Sequence, residues 1–162
     1  MYLKRNIGSN LQTYRGLRFP HAHIDTRLHR YETVVGIGGN VGDVRRRFEH
    51  LCVWLQRDKR VTLTRTSLIL KNPPFGYKDQ EDFFNSIIVL KTSMQPRDFL
   101  DYLMRTEKKF GRKRSFANAP RTLDLDIIFF DNRVIKTNKL TIPHAHWAER
   151  ESVVIPLAGL QR

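Results

Sequence analysis

One stretch constrains this chain more than any other: Ala119-Pro120-Arg121-Thr122-Leu123-Asp124-Leu125-Asp126-Ile127-Ile128-Phe129-Phe130. Its apolar and β-branched content reads as a buried strand, yet two carboxylates stand inside it. Side chains two apart on a strand leave the same face, about 6.5 Å apart along the chain. Asp124 and Asp126 therefore point together. Like charges so placed each resist ionisation, and a divalent cation beside them is the usual remedy. The pair predicts a magnesium site and phosphate chemistry. The plainer alternative is an edge strand whose acidic face is solvated.

The chain has 162 residues and a net charge of +13, so one domain with an anionic partner is expected. Nucleic acid and a nucleotide-triphosphate substrate explain that charge equally well. Residues 1–31 carry Lys4, Arg5, Arg15, Arg18, Arg27 and Arg30 against the single acid Asp25, which supplies five of the thirteen charges. They read as a basic N-terminal arm to a domain spanning 32–162. An Arg-rich, acid-poor start is shared with organelle transit peptides, but Pro20 and the histidines His21, His23 and His29 fit a native arm better. The single cysteine, Cys52, excludes an intramolecular disulfide and suits a reducing cytoplasm. No apolar stretch approaches a membrane span, so no membrane partner is expected.

Tyr31–Asn40 reads as a strand that runs into glycines. Asp43 then serves as N-cap of a helix in which Val44, Phe48, Leu51, Cys52 and Leu55 recur at helical spacing as far as Gln56. Val61–Lys71 reads as one continuous second strand. Asn72-Pro73-Pro74-Phe75-Gly76-Tyr77 breaks it, making 72–81 a loop. Phe83–Leu90 is a third strand. Pro96 opens a second helix with Phe99, Leu100, Leu103, Met104 and Phe110 on one stripe, Glu107 falling on that stripe, and Gly111 as terminator. A basic loop, 112–121, leads into the Asp124 strand, and Val134-Ile135 pairs with Leu140-Thr141-Ile142 before Pro143. The order predicts an α+β fold: a ferredoxin-like β-α-β-β-α-β sandwich with an added hairpin and a basic N-terminal arm. An earlier Ile7-Gly8-Ser9-Asn10-Leu11 imitates the glycine turn, but no strand is expected before it and no helix after it.

With these pieces placed, the chain resembles the 6-hydroxymethyl-7,8-dihydropterin pyrophosphokinases of folate biosynthesis. The resemblance runs from about Thr33 to Leu157 and rests on Ile37-Gly38-Gly39-Asn40-Val41-Gly42-Asp43, Asn72-Pro73-Pro74-Phe75-Gly76, Asp82-Phe83-Phe84-Asn85, Gly111-Arg112-Lys113-Arg114, the Ala119–Asp126 run, and Ile142-Pro143-His144 with Arg150. It implies transfer of the terminal pyrophosphoryl group of ATP to a pterin hydroxymethyl, with release of AMP. Two Mg²⁺ ions on Asp124 and Asp126 are implied, with Asp126 also orienting or deprotonating the hydroxyl. Arg112 and Arg121 would stabilise the transition state, and Glu107, Arg114, Lys139, Thr141, His144 and Arg150 would contact ATP or its metals. Asn72, Pro73, Phe75, Phe83 and Asn85 fall at pterin positions. ATP and the dihydropterin are the expected partners, in the cytoplasm; monomer and homodimer both stay open.

The chain departs from the resemblance in places. Ser152 stands where a second pterin-stacking aromatic is common, leaving Trp147 or a loop residue to replace it. Ala117-Asn118 stands where a basic residue and a Trp are common, and Asn72 replaces a common Thr. Two rival readings follow from the basic charge and the departures: an RNA-binding ferredoxin-like module, which lacks the Gly-Phe-Gly-Phe type of signature here, and a silent phosphate-binding scaffold.

Overall fold

The computed structural model describes residues 3–24 and 27–160; residues 1, 2, 25, 26, 161 and 162 lie outside the described residues. In chain order the elements are β1 (Leu3–Asn6), β2 (Gln12–Arg15), β3 (His21–Ala22), β4 (Tyr31–Gly39), α1 (Val44–Arg57), β5 (Val61–Thr66), β6 (Ile69–Asn72), β7 (Phe83–Thr92), α2 (Pro96–Lys109), β8 (Asp124–Phe130), β9 (Ile135–Lys136), β10 (Thr141–Ile142), a 3₁₀ turn at Trp147–Glu149, and α3 (Glu151–Ala158). The fold is α+β. The β-branched run of β4 lies between β7 and β8, antiparallel to both. Beyond β7 come β5 and β6, so the central order is β8, β4, β7, then β5 and β6 end to end along the same edge of β7. The expected hairpin forms, with Thr141 opposite Lys136.

Alternation divides the sheet into two faces. Val35, Ile37, Leu63, Ile88, Leu90 and Leu125 point to one side, where Phe48, Leu51 and Leu55 of α1 and Phe99 and Leu103 of α2 close the main core. Asp43 caps α1 as expected, its side chain accepting from Arg46 N–H at 3.2 Å. The stripe of α2 differs from the sequence expectation. Phe99, Leu103 and Glu107 are buried as expected, but Met104 is 38% exposed, and Tyr102 and Thr106 join the buried line instead. Thr106 is tolerated there because its hydroxyl donates to the Tyr102 carbonyl at 2.9 Å. On the opposite face Ile87 and Ile128 meet Val153 and Leu157 of α3. The sequence reading missed α3, because Pro156 lies inside it and its apolar residues show little one-sidedness.

The continuous strand expected over Val61–Lys71 is two strands. Ser67 makes the break: its backbone N–H donates to the Ile87 carbonyl at 2.8 Å, its hydroxyl lies 2.9 Å from Ser86 Oγ, and it accepts from Ile87 N–H at 2.9 Å. The bend gives each half its own outer neighbour. β3 pairs with β5, and β2 pairs with β6 through Gln12 opposite Lys71 and Tyr14 opposite Ile69. The Ile7–Leu11 segment is corrected too: a strand does precede it, and it is the connection of the β1–β2 hairpin, with Ile7 N–H on the Leu11 carbonyl at 3.1 Å. The described part of the arm is thus bound into the fold. Phe19 is fully buried and tilts against Phe48 at 5.9 Å, while Arg18 pairs with Glu49 at 3.2 Å.

Phe19→Ala should therefore cost about 3–5 kcal/mol of stability, the usual penalty for emptying a phenyl site in a packed core. Urea unfolding checks this, with a lowered midpoint at unchanged slope as the expected outcome.

Candidate active site

The site lies on the α3 face of the sheet, beyond the end of that helix, where β4 has glycines in place of side chains. Gly36 and Gly38 sit opposite Asp126 and Asp124 of β8, and Gly38 sits opposite Asn85 of β7 on its other side. A Cβ on Gly38 would stand 2.5 Å from Asn85 Oδ1, and one on Gly39 would stand 2.6 Å from the Thr122 carbonyl. The glycines are thus required by close approach. A bulge between Val34 and Val35 adds one residue to β8, so the face carrying the two aspartates and Ile128 continues into Phe129. Asp124 and Asp126 share one face, as their spacing predicts.

Asp124 is the electrostatic centre of this face. Arg112 Nη1 donates to its Oδ1 at 2.8 Å and Arg121 Nη1 to its Oδ2 at 3.2 Å. Arg112 is further held by the Leu123 carbonyl at 3.0 Å, and Arg121 by the Ala119 carbonyl at 3.0 Å. The Asp126 carboxylate takes no hydrogen bond or ion pair among the described residues. Burial, then Asp124 and Glu107, push its pKa up to about 7, against the pull of Arg150 and Arg121. Oxygen donors on adjacent like charges suit a hard cation that keeps waters and phosphate oxygens as its other ligands, so the pair fits magnesium. Among the described residues no third His, Cys, Asp or Glu joins them.

Glu107 lies beneath the pair and is 3% exposed. Its Oε1 accepts from the Leu125 backbone N–H at 2.9 Å, and its Oε2 takes Arg114 at 3.1 Å and Arg112 at 3.6 Å. Burial raises its pKa despite the Leu125 hydrogen bond, and Asp124 adds to the rise. By this geometry the carboxylate fixes the start of β8. His144, tied to the sheet by its N–H on the Ile128 carbonyl at 2.9 Å, has a lowered pKa because of burial and then Arg150, so its imidazole is neutral at pH 7.

Two adjoining cavities open here. One, of about 420 Å³, is lined by Asn72, Pro73, Phe75, Phe83, Asn85 and Ser152; the other is walled by Arg112, Lys113, Arg114 and the loop to Pro120. Both share Arg121, Asp124, Asp126, His144 and Arg150. In the first, Asn85 donates to Asn72 Oδ1 at 2.7 Å and Arg121 stands over the Phe83 ring at 5.2 Å. Glu107 lies below the cavities, whereas Lys139 and Thr141, exposed on the β9–β10 hairpin, line neither.

The sequence reading missed a hub, Asn40. Its side chain donates to Gln80 Oε1 at 2.8 Å and to the Glu81 carbonyl at 3.0 Å, and its Oδ1 accepts from Arg121 N–H at 2.9 Å. One amide thereby fastens the glycine turn to both loops. Gln80 also donates to the Asn118 carbonyl at 2.9 Å, and Arg47 reaches the carbonyls of Val41 and Thr122 at 2.6 and 2.8 Å. Asn40 stands in the quoted glycine motif, a usable signal; Gln80 and Arg47 carry none.

Residues 34–162 match the 7,8-dihydro-6-hydroxymethylpterin-pyrophosphokinase family. The chain is 39% identical over 139 residues to a Campylobacter jejuni 2-amino-4-hydroxy-6-hydroxymethyldihydropteridine pyrophosphokinase, covering 86% of this chain and 88% of that one. It is 40% identical over 127 residues to the enzyme of that name from Helicobacter pylori, covering 77% and 78%. A Bacillus subtilis enzyme of that name is 36% identical over 126 residues, covering 78% and 75%. Through a match that takes in the glycine floor, both loops and the paired aspartates, the chain belongs to the 7,8-dihydro-6-hydroxymethylpterin-pyrophosphokinase family.

Proposed function

We propose that this protein transfers a pyrophosphoryl group from ATP to the hydroxymethyl group of 6-hydroxymethyl-7,8-dihydropterin, releasing AMP, as a step of folate biosynthesis. Family membership supports this. The observation that carries it is that an amide-and-aromatic cavity and an arginine-walled cleft meet at Asp124 and Asp126. A flat, hydrogen-bonding heterocycle suits the first and a triphosphate the second. Their junction is where the hydroxyl oxygen and the β-phosphorus have to meet for in-line attack.

Asn72 and Asn85 read the heterocycle's polar edge, with Pro73, Phe75 and Phe83 against its faces. Asp126, without a polar partner of its own and with raised proton affinity, accepts the hydrogen bond of the hydroxyl and orients its oxygen. Arg112 and Arg121, both within reach of the phosphate cleft, carry fixed charge to the equatorial oxygens as negative charge moves toward the AMP leaving group. Arg114, His144 and Arg150 hold the nucleotide, Lys139 and Thr141 approach it from the β9–β10 hairpin, and Glu107 supports Arg112 and Arg114. Asp124 and Asp126 would hold two Mg²⁺ ions, which would supply charge screening and lower the hydroxyl pKa when bound.

The same reading extends to the fold and the setting. The order β8-β4-β7-β5/β6, with α1 after β4 and α2 after β7 on one face, supports a ferredoxin-like core. Among the described residues no helix is long and apolar enough to cross a membrane, in keeping with a cytoplasmic enzyme of small-molecule substrates.

The deciding experiment incubates the protein with ATP, Mg²⁺ and 6-hydroxymethyl-7,8-dihydropterin and separates the nucleotides. Pterin-dependent AMP is expected. ADP in its place would make the protein an ordinary kinase, and no nucleotide product would make it a silent scaffold.

Arg121→Ala should lower kcat by about a hundredfold or more while ATP affinity changes by less than tenfold, the pattern of an interaction made mainly in the transition state. Single-turnover rates against equilibrium ATP-analogue binding separate the two.

Asp126→Asn should abolish turnover yet stabilise the metal-free protein at pH 8 by on the order of 2 kcal/mol. The raised folded-state pKa means that the folded protein binds more protons than the unfolded chain between about 4 and 7. This group therefore costs stability increasingly as pH rises through that window. The stability difference between variant and parent should vanish below pH 4, which chemical denaturation in the presence of a chelator would show.

A further inference from the structure

Phe75 is 67% exposed, and a phenyl ring held out on a proline loop gains nothing from the core. It is nonetheless held in place. The guanidinium of Arg150, the residue that leads into α3, stands 5.0 Å from its ring centroid. Arg150 Nε is buried with no hydrogen-bond partner among the described residues, and Arg150 lines the cavity on this side of the site. The loop is fixed from behind as well: Lys78 donates to the Pro74 carbonyl at 2.6 Å, and Tyr77 meets the edge of Phe116 at 5.2 Å.

Phe75 and Phe83 line the same cavity, along with the linked amides of Asn72 and Asn85. Each ring carries one guanidinium, Arg150 on Phe75 and Arg121 on Phe83. Ser152 also lines that cavity, and its hydroxymethyl offers no stacking face. Trp147 is excluded as a replacement: it packs against Phe129 at 5.0 Å in the apolar cluster beneath α3 and lies outside the cavity lining.

The geometry points to Phe75, steadied by Arg150, as the ring that closes the second face of the pterin site opposite Phe83, in the role that Ser152 leaves open. The inference rests on the pterin reading of this cavity and adds a chain-specific division of labour to it. The stacking face comes from the loop between β6 and β7 rather than from α3. Arg150 lines both cavities, so the residue that steadies this face also borders the phosphate cleft.

The test is equilibrium titration of the full chain with 6-hydroxymethyl-7,8-dihydropterin and, separately, with Mg²⁺ and α,β-methylene-ATP. Phe75→Ala should weaken pterin binding about tenfold or more and leave the nucleotide within twofold, since stacking on a heterocycle is lost while the exposed position spares the fold. Phe75→Tyr should bind pterin like the parent. In the Phe75→Ala background, Ser152→Phe should recover much of the loss by restoring a ring from the α3 side. Pterin binding by Phe75→Ala within twofold of the parent overturns the inference. Equal loss of both ligands also overturns it, because the ring would then act through Arg150 and not on the pterin. A parent protein that binds no pterin, either alone or with Mg²⁺ and α,β-methylene-ATP present, overturns the pterin reading itself, an outcome distinct from both.

Discussion

The close approach of β4 to its two neighbours is the constraint on which the site depends. Where Gly38 faces Asn85, and where Gly39 passes the Thr122 carbonyl, no Cβ can be accommodated without displacing an amide or a backbone. The bare strand forms a floor, and functional groups from both sides converge above it: the aspartates from β8, the amides from β7 and the end of β6. Larger side chains on β4 would fill that floor, and the sheet face would become ordinary core like the Ile87–Ile128 patch under α3. The glycines lose conformational entropy on folding, a cost of roughly 0.5–1 kcal/mol each. Burial on the other face of the same strand, through Val35 and Ile37, offsets it.

Charge is handled locally in spite of the net +13. Glu107 and Asp124 are opposed at short range by Arg112, Arg114 and Arg121, and Asp126 stands beside them without an ion pair among the described residues. Arg112 is itself half-shared between Asp124 at 2.8 Å and Glu107 at 3.6 Å. Ion pairs of this burial contribute little net stability because desolvation cancels much of the attraction. Their value lies in placement: the arginines are carried on a loop, and the pairs hold them above the strand. The described arm contributes in a different way. β2 continues the sheet beyond β6, so the strand that delivers Asn72 to the cavity is an interior strand instead of a fraying edge.

Strong periodicity and strong chemistry were what the sequence made legible. The α1 face, its Asp43 cap, the Pro96 helix start, the hairpin and the shared face of Asp124 and Asp126 all follow from local rules that tertiary contacts reinforce. The failures have physical causes. Ser67 breaks a strand through bonds to Ser86 and Ile87, which lie far along the chain and leave no local mark. Pro156 disguised α3. Leu3–Asn6 is exposed throughout and becomes a strand only because β2 is beside it. Met104 fitted the spacing of α2, but the contacts of Tyr102 with Asp58 and of Glu107 with Leu125 set the rotation of that helix. For the site, residue types with costly burial were readable, while the braces Gln80 and Arg47 act on backbone carbonyls and look like ordinary surface residues.

The arrangement around Asp124 also bears on how a highly charged substrate can bind without large electrostatic cost. A triphosphate brings negative charge with its own divalent cations, and Asp124 already has two guanidinium partners. If those guanidiniums turn to phosphate oxygens while a cation takes the carboxylate, each ion pair broken is matched by one formed. The exchange keeps every charge compensated, so most of the desolvation has already been met in the folded protein and is not charged against binding. Asp126 behaves differently. Lacking such a partner, it holds its proton up to about pH 7, and a cation beside it would favour the carboxylate. Two aspartates on one strand face would therefore answer the same ligand in opposite ways, one by exchanging partners and the other by gaining its first.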